Sequence, residues 1–329
     1  MTRDDQSRFE FTTLVEGLFR ESGEDAPILL QDTHEPAVLD LRLHGTDFVL
    51  GHDPDGRAEE IFVEVSLGPL PQEDVEAAMR KLLTPVRHLV HGTRVAAIGF
   101  NPDDKVATCG FHLPLHGMEP SALVEILMSA SQFPSGWREA GFVQGPQYRP
   151  CRPQFNDESF RACRAKFISL VEKTRKRCDW AIPLRTTNDQ TLSFAFDVHD
   201  IPIALLHGKE DGPETFEIRC SYGPVSHRDA EAVLLRLLEL NRFHSAEGQI
   251  TLHFDQEANL VFASHLGALD LEDDRTLSGT MQQLALSAMM WRQSSHTDSS
   301  HPAWTLAPHP GSAAMPSNHL SHPSEWNNV

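Results

Sequence analysis

Val65-Ser66-Leu67-Gly68-Pro69-Leu70-Pro71-Gln72-Glu73-Asp74-Val75-Glu76-Ala77 recurs 155 positions later as Cys220-Ser221-Tyr222-Gly223-Pro224-Val225-Ser226-His227-Arg228-Asp229-Ala230-Glu231-Ala232. In both copies a strand-like run closes on Gly-Pro and a helix starts just after. Working outward, Leu82-Leu83 is matched by Leu237-Leu238 and Phe100 by Phe254. His112-Leu113 is matched by His265-Leu266, and Trp137, late in a helix, by Trp291. The separation drifts by only one or two residues, as small loop insertions and deletions would make it. A period this long is not that of a solenoid. It marks a duplicated domain.

A chain of 329 residues has room for two domains with their own cores. No run reaches the roughly 18 to 20 apolar residues that a membrane helix needs, so no membrane insertion is expected. Met1-Thr2-Arg3-Asp4-Asp5-Gln6 has no apolar core, and no secretory signal is expected either. Five cysteines, Cys109, Cys151, Cys163, Cys178 and Cys220, are odd in number and form no CxxC pair. They support neither a zinc knuckle nor a disulfide framework, and they point to a reducing cytoplasmic location. The net charge of -19 argues against nucleic acid as a partner, because phosphate binding needs a concentrated basic face. One basic stretch from Arg149 to Arg177 breaks the trend. It is either a solvated helix face or a docking strip for an acidic segment.

The first unit opens with an amphipathic helix over Phe9 to Ser22, with Phe11, Leu14, Val15, Leu18 and Phe19 at helical spacing and Gly23 placed to end it. Alternating runs at Val38–Leu43, Phe48–Leu50 and Ile61–Val65 are separated by His44-Gly45-Thr46-Asp47 and Asp53-Pro54-Asp55-Gly56, which predicts an antiparallel meander. A helix over Gln72–Leu83 follows, then strands at Val95–Phe100 and Val106–Leu113 and a helix over Pro120–Trp137. The second unit is expected to repeat this α-β-β-β-α-β-β-α order. Its helices are predicted over Phe160–Cys178, His227–Asn241 and Asp274–Trp291. Its strands are predicted at Ala181–Leu184, Thr191–Phe196, Ile201–Leu206, Phe216–Ser221, Gln249–Phe254 and Asn259–His265. The division is therefore a first domain over 1–141, a Pro-rich linker over 142–158, a second domain over 159–293 and a tail over 294–329. That tail is rich in Ser, His, Pro and Asn and lacks apolar periodicity, so it is expected to be disordered. Trp304 and Trp326 within it are either docking anchors or remnants of that extension.

Catalytic signatures do not emerge. There is no GxSxG elbow, Walker loop, GxGxxG after a strand or HExxH. His88 and His91 are three apart with no acid or third ligand near them in sequence, and His112 and His116 are four apart, but Pro114 sits between them and the segment reads as a strand leaving the sheet. Asp270, Glu272, Asp273 and Asp274 lack the glycine and terminal glutamate of an EF-hand, and Asp273 or Asp274 reads as the cap of the last helix. Glu119 holds the corresponding place in the first unit. No cofactor, metal site or catalytic residue is expected.

Each unit resembles a type III secretion chaperone of the Tir-chaperone (CesT) class. The resemblance lies in the strand-Gly-Pro-helix passage (64–83 and 219–238), the following strand pair joined by an acidic turn (97–115 and 251–269), and the last helix ending in tryptophan (123–137 and 277–291). It covers most of 9–141 and 160–292, leaving out the linker and tail. Members are usually single units of roughly half this length acting as homodimers, whereas two units are fused here. The resemblance implies an α+β fold of two tandem units with antiparallel sheets, arranged as an intramolecular pseudo-dimer with 72–83 and 227–241 near the contact. It implies a monomeric cytoplasmic chaperone, not an enzyme, that holds the N-terminal, non-globular segment of a type III effector in a secretion-competent state. The same fold could instead sequester a cytosolic regulator of the secretion system, and a metal-dependent enzyme built on the histidines is a third reading. Apolar grooves and strand addition would do the binding. The candidate groove residues are Leu14, Leu18, Leu41 and Leu43 in the first unit and Phe167, Leu170, Phe194 and Phe196 in the second.

Overall fold

The computed structural model describes residues 3–23, 25–29, 35–53, 58–84, 90–91, 94–140, 157–187, 191–208, 212–225, 230–247, 250–294 and 325–326. The fold is α+β, built on two six-stranded, largely antiparallel sheets.

The chain begins with helix α1 (Arg3–Ser22). Its predicted stripe of Phe11, Leu14, Val15, Leu18 and Phe19 is buried. Gly23 at φ +77° ends it, donating its N–H to the Arg20 carbonyl at 3.2 Å. Strands β1 (Ala37–Leu43), β2 (Thr46–His52) and β3 (Glu60–Pro69) form the meander. The β1–β2 hairpin turns on His44 and Gly45, both at positive φ, which is the primed two-residue turn that matches strand twist. Helix α2 (Val75–Leu82) follows. A short hairpin of β4 (Val90–His91) and β5 (Arg94–Val95) precedes β6 (Ala97–Asn101) and β7 (Val106–Pro114). Two helices, α3 (Pro120–Ala130) and α4 (Phe133–Ala140), complete the first unit.

The second unit runs through α5 (Asp157–Cys178), β8 (Leu184–Thr187), β9 (Thr191–Val198), β10 (Ile201–Gly208) and β11 (Thr215–Pro224). It continues with α6 (Ala230–Glu247), β12 (Thr251–Asp255), β13 (Leu260–Ala268) and α7 (Asp274–Ser294). A last two-residue strand, β14, is Glu325–Trp326. The β9–β10 hairpin again turns on two positive-φ residues, His199 and Asp200.

The repeated Gly-Pro has a structural reason. The β3–β7 register shifts between Ser66 and Gly68, and the β11–β13 register shifts between Ser221 and Gly223. Each bulge places its glycine at positive φ, +94° for Gly68 and +115° for Gly223, where a side chain is disfavoured. Each sheet then carries the same order around its bulged strand. The first is β14-β1-β2-β3-β7-β6, and the second, read outward to inward, is β8-β9-β10-β11-β13-β12.

The inner strands β6 and β12 lie toward the other unit. Helix α6 packs along β6 and β7 of the first sheet, and also meets α2 and its own β12. Covering the second face of that sheet explains why β6 is buried at every position while β1 alternates. Gly99 on β6 makes the approach possible, since a Cβ there would lie 2.7 Å from the Arg242 Cα. The Phe254 N–H of β12 donates to the Leu83 carbonyl at the end of α2 (2.9 Å), and the Arg80 guanidinium sits 4.6 Å above the Phe254 ring. Buried residues of both units join one hydrophobic cluster.

Several expectations are corrected. The helix predicted over Pro120–Trp137 breaks at Ser131–Gln132 and restarts with Pro134 in its first turn, where a missing N–H costs nothing. The helix predicted from Gln72 starts at Val75, because Asp74 is left-handed at φ +55°. The strand predicted at Ala181–Leu184 begins only at Leu184, and the β4–β5 hairpin was not expected. Glu119 makes no side-chain cap. The predicted start of the second middle helix at His227 lies outside the described residues, as do linker residues 142–156, Cys151, His88 and Trp304, whereas Asp157 and Glu158, expected in the linker, open α5. Within the tail, Glu325–Trp326 form a strand.

Candidate functional site

The sheets present their outer strands at the ends farthest in strand order from α6. In the second unit that strand is β8, paired among the described residues only with β9 through the register Leu184↔Ala195 to Thr187↔Leu192. Leu184 on it and Ile182 just before it are 74% and 84% exposed. In the first unit the segment between α1 and β1 exposes Ile28 (89%), and α1 itself exposes Phe9 (66%). Isolated exposed apolar residues are ordinary. Here both units expose one in the same place in the chain, between the first helix and the first long strand.

Leu14 and Leu18 on α1, Leu41 and Leu43 on β1, Phe167 and Leu170 on α5, and Phe194 and Phe196 on β9 are all buried. Phe167 packs against Phe194 and Phe216, and Trp180 packs against Phe196. All eight belong to the one buried hydrophobic cluster, so they are core positions rather than open groove walls. Exposed instead are Phe9, Ile28, Ile182 and Leu184, whose exposure has no separate signal in apolar spacing.

A second constellation is written twice. His52 on β2 is buried and stacks on Phe11 of α1 at 5.1 Å, and its Nε2 lies 3.1 Å from the Ala58 carbonyl. His207 on β10 stacks on Phe160 and Phe167 of α5, with Nε2 2.8 Å from the Pro213 carbonyl. A carbonyl only accepts, so Nε2 carries the proton in both rings. The two Nδ1 atoms are buried without a hydrogen-bond partner among the described residues. Burial holds both imidazoles below the usual histidine range. The backbone carbonyls oppose this in part, while the Arg8 and Arg164 guanidinium groups reinforce it at His52 and His207 respectively. These are neutral core groups, fixed in one tautomer by the carbonyl they serve.

The other singled-out residues fall into structural roles. His112 Nδ1 lies 3.3 Å from Glu60, and His265 Nε2 lies 3.9 Å from Glu272. His116 is exposed and 3.6 Å from Glu10, so His112 and His116 do not converge. Among the described residues no group of three or more His, Cys, Asp or Glu is placed to hold a metal. Asp273 caps α7, accepting from the Arg275 and Thr276 N–H groups and the Thr276 hydroxyl at 2.7–2.9 Å. Those bonds hold its carboxyl below the usual carboxylate range. Burial pushes the Cys220 thiol up to about 12 and raises Cys109 also, which keeps both as unreactive thiols. The basic stretch on α5 faces acids near α7, with Lys166–Asp270 at 2.9 Å and Arg177–Asp274 at 3.4 Å. No described helix is long and apolar enough to cross a membrane.

Sequence reasoning missed the polar join between the units. Glu64 on β3 accepts from Arg242 on α6 through contacts of 3.0–3.3 Å that engage both carboxylate oxygens. Glu64 is only 7% exposed at its side chain and Arg242 35%. A charged residue inside the apolar run Ile61–Val65 was the available signal, because a buried carboxylate requires a partner.

No protein-family model matches the chain, and no curated protein does. Among solved structures, the chain is similar to one in the structure of the HopA1–SchA chaperone–effector complex, with a TM-score of 0.31 and 18% identity over 41% of this chain and 98% of that one. It is also similar to a chain in the crystal structure of the Yersinia pestis type III secretion chaperone SycH in complex with a stable fragment of YscM2. That match has a TM-score of 0.28 and 14% identity, over 38% of this chain and 97% of the other.

Proposed function

We propose that the chain is a binding protein, a fused form of a type III secretion chaperone, that takes up an extended segment near the N-terminus of an effector. The two units, over 1–141 and 159–293, stand in for the two subunits of a homodimer. The contact of α6 with β6, the Glu64–Arg242 pair and the Phe254–Leu83 hydrogen bond act as the internal dimer contact. The observation that carries the reading is the outer edge of each sheet with exposed apolar residues near it in the chain: β8 with Ile182 and Leu184 in the second unit, and, outside the Arg42 and Leu43 pairs with β14, β1 with Ile28 ahead of it in the first.

An outer strand offers backbone N–H and C=O groups for strand addition, and exposed apolar side chains beside it offer anchors. Leu14, Leu18, Leu41, Leu43, Phe167, Leu170, Phe194 and Phe196 form the floor beneath these positions and set their shape. An extended partner segment is the ligand suited to two such edges on one molecule. A chaperone of this kind needs no ATP and no cofactor, since binding alone keeps the segment unfolded.

Co-expression with candidate effectors tests the reading. A stable complex should purify, with the effector's N-terminal segment protected from protease. Recovery of no effector, with no protected segment, overturns it. A partner that proves to be a cytosolic regulator of the secretion system would replace the cargo role by sequestration.

A further inference from the structure

The two sheets are closed differently at their outer edges. Beyond β9 the second sheet has β8, four residues that enter from the same unit and pair antiparallel. The equivalent position beyond β1 is filled by β14, two residues from the far end of the chain, pairing in parallel as Arg42↔Glu325 and Leu43↔Trp326. Thirty residues, 295–324, separate β14 from the end of α7. Their contour is at most about 100 Å, ample to cross a domain of this size.

We propose that the C-terminal segment at Glu325–Trp326 is a resident strand of the first sheet's outer edge, one that a bound partner segment displaces. The displacement half rests on the function proposed above; the occupancy half does not. A two-residue ladder forms few hydrogen bonds, each adding only a modest net stabilisation. Tethering supplies the rest by raising the local concentration of the tail. The result is an edge that is covered when the protein is alone, which protects it from strand-to-strand association with other chains. It remains open to a longer segment that pairs along more of β1. Among the described residues only the first unit has this device, so the two edges differ in availability.

The test uses the full-length chain beside a full-length Glu325→Pro/Trp326→Pro variant, since proline cannot donate to the ladder. Amide exchange is read over residues 37–43, with the β8–β9 pair as internal control. The outward-facing amides near Arg42 and Leu43 should exchange about ten-fold faster in the variant, the scale expected from losing one or two ladder bonds. Equal exchange in the two proteins overturns the occupancy. Protection that falls on dilution of the parent protein assigns the strand to a second molecule and also overturns it. The effector recovered by co-purification should bind the variant about ten-fold more tightly, and equal affinity overturns displacement. If neither protein binds an effector, the functional reading and displacement fail together, while the exchange result still decides whether the tail occupies the edge.

Discussion

Glu64 is a carboxylate in the middle of a buried strand, and its environment explains why it is tolerated. Arg242 reaches it from α6 and engages both oxygens, so a group that would be costly alone becomes a link between the units. Glu64→Ala should lower stability by roughly 1.5 kcal/mol, the lower end for a charge-assisted bond because Arg242 keeps contact with water. Chemical denaturation would measure it, and an unchanged midpoint would remove the pair from the contact. Gly99→Ala should cost about 1 to 3 kcal/mol, since the new Cβ meets the α6 backbone, which cannot rotate away as a side chain can.

His52 and His207 give a pH dependence with a definite sign. Their folded-state values lie below the ordinary 6.5, so the unfolded chain binds protons more readily. Stability from these two groups is full above that ordinary value. It is lost as the pH falls from there toward the depressed folded values. His52→Gln/His207→Gln, which retains a donor for each carbonyl, should flatten the loss of stability between pH 7.5 and 5.5 relative to the parent protein. Parallel curves for the two would contradict this. Neither the Glu64 join nor the buried imidazoles could be placed from sequence, because both depend on which residues of distant segments meet.

At the scale of elements, far more was legible. The Gly-Pro repeat announced a strand end, and the structure adds the reason for the glycine: a bulge at the same point of both sheets, with φ at +94° and +115°. Gly68→Ala and Gly223→Ala should each cost roughly 1 to 3 kcal/mol as strained backbone, although nothing lies within 4 Å of a Cβ at Gly68. A cost at neither position, read from thermal unfolding, would mean that the bulge relaxes. Alternating residues revealed β1, β9 and β10, whose burial alternates with their faces, whereas β3 is buried on both faces from Ile61 to Val65. The pattern failed where geometry depends on non-local partners. Two-residue strands have no periodicity, so β14 and the β4–β5 hairpin left no trace. The break between α3 and α4 was written as Phe133-Pro134, but it lay inside an otherwise continuous apolar stripe. Exposure itself was also hidden: Leu41 and Leu184 are the same residue type, and only tertiary packing buries one and leaves the other in water.

For the whole molecule, the proposed fusion would turn a contact between two chains into one within a chain, at an effective concentration no free subunit reaches. It also releases the two halves from having identical surfaces. The differences are concrete. Helix α6 is 18 residues where α2 is 8, Gly99 admits α6 on one side only, and the outer edges are closed by β8 in one unit and by β14 in the other. On the proposed function, a partner segment would meet two dissimilar surfaces in a fixed order, as a directional peptide requires.

The most direct measurement is the native mass of the complex recovered on co-expression with an effector. The account predicts one 329-residue chain bound to one effector segment. A complex with two chains whose units pair across molecules, or a chain that leaves the column alone with every effector offered, would contradict it.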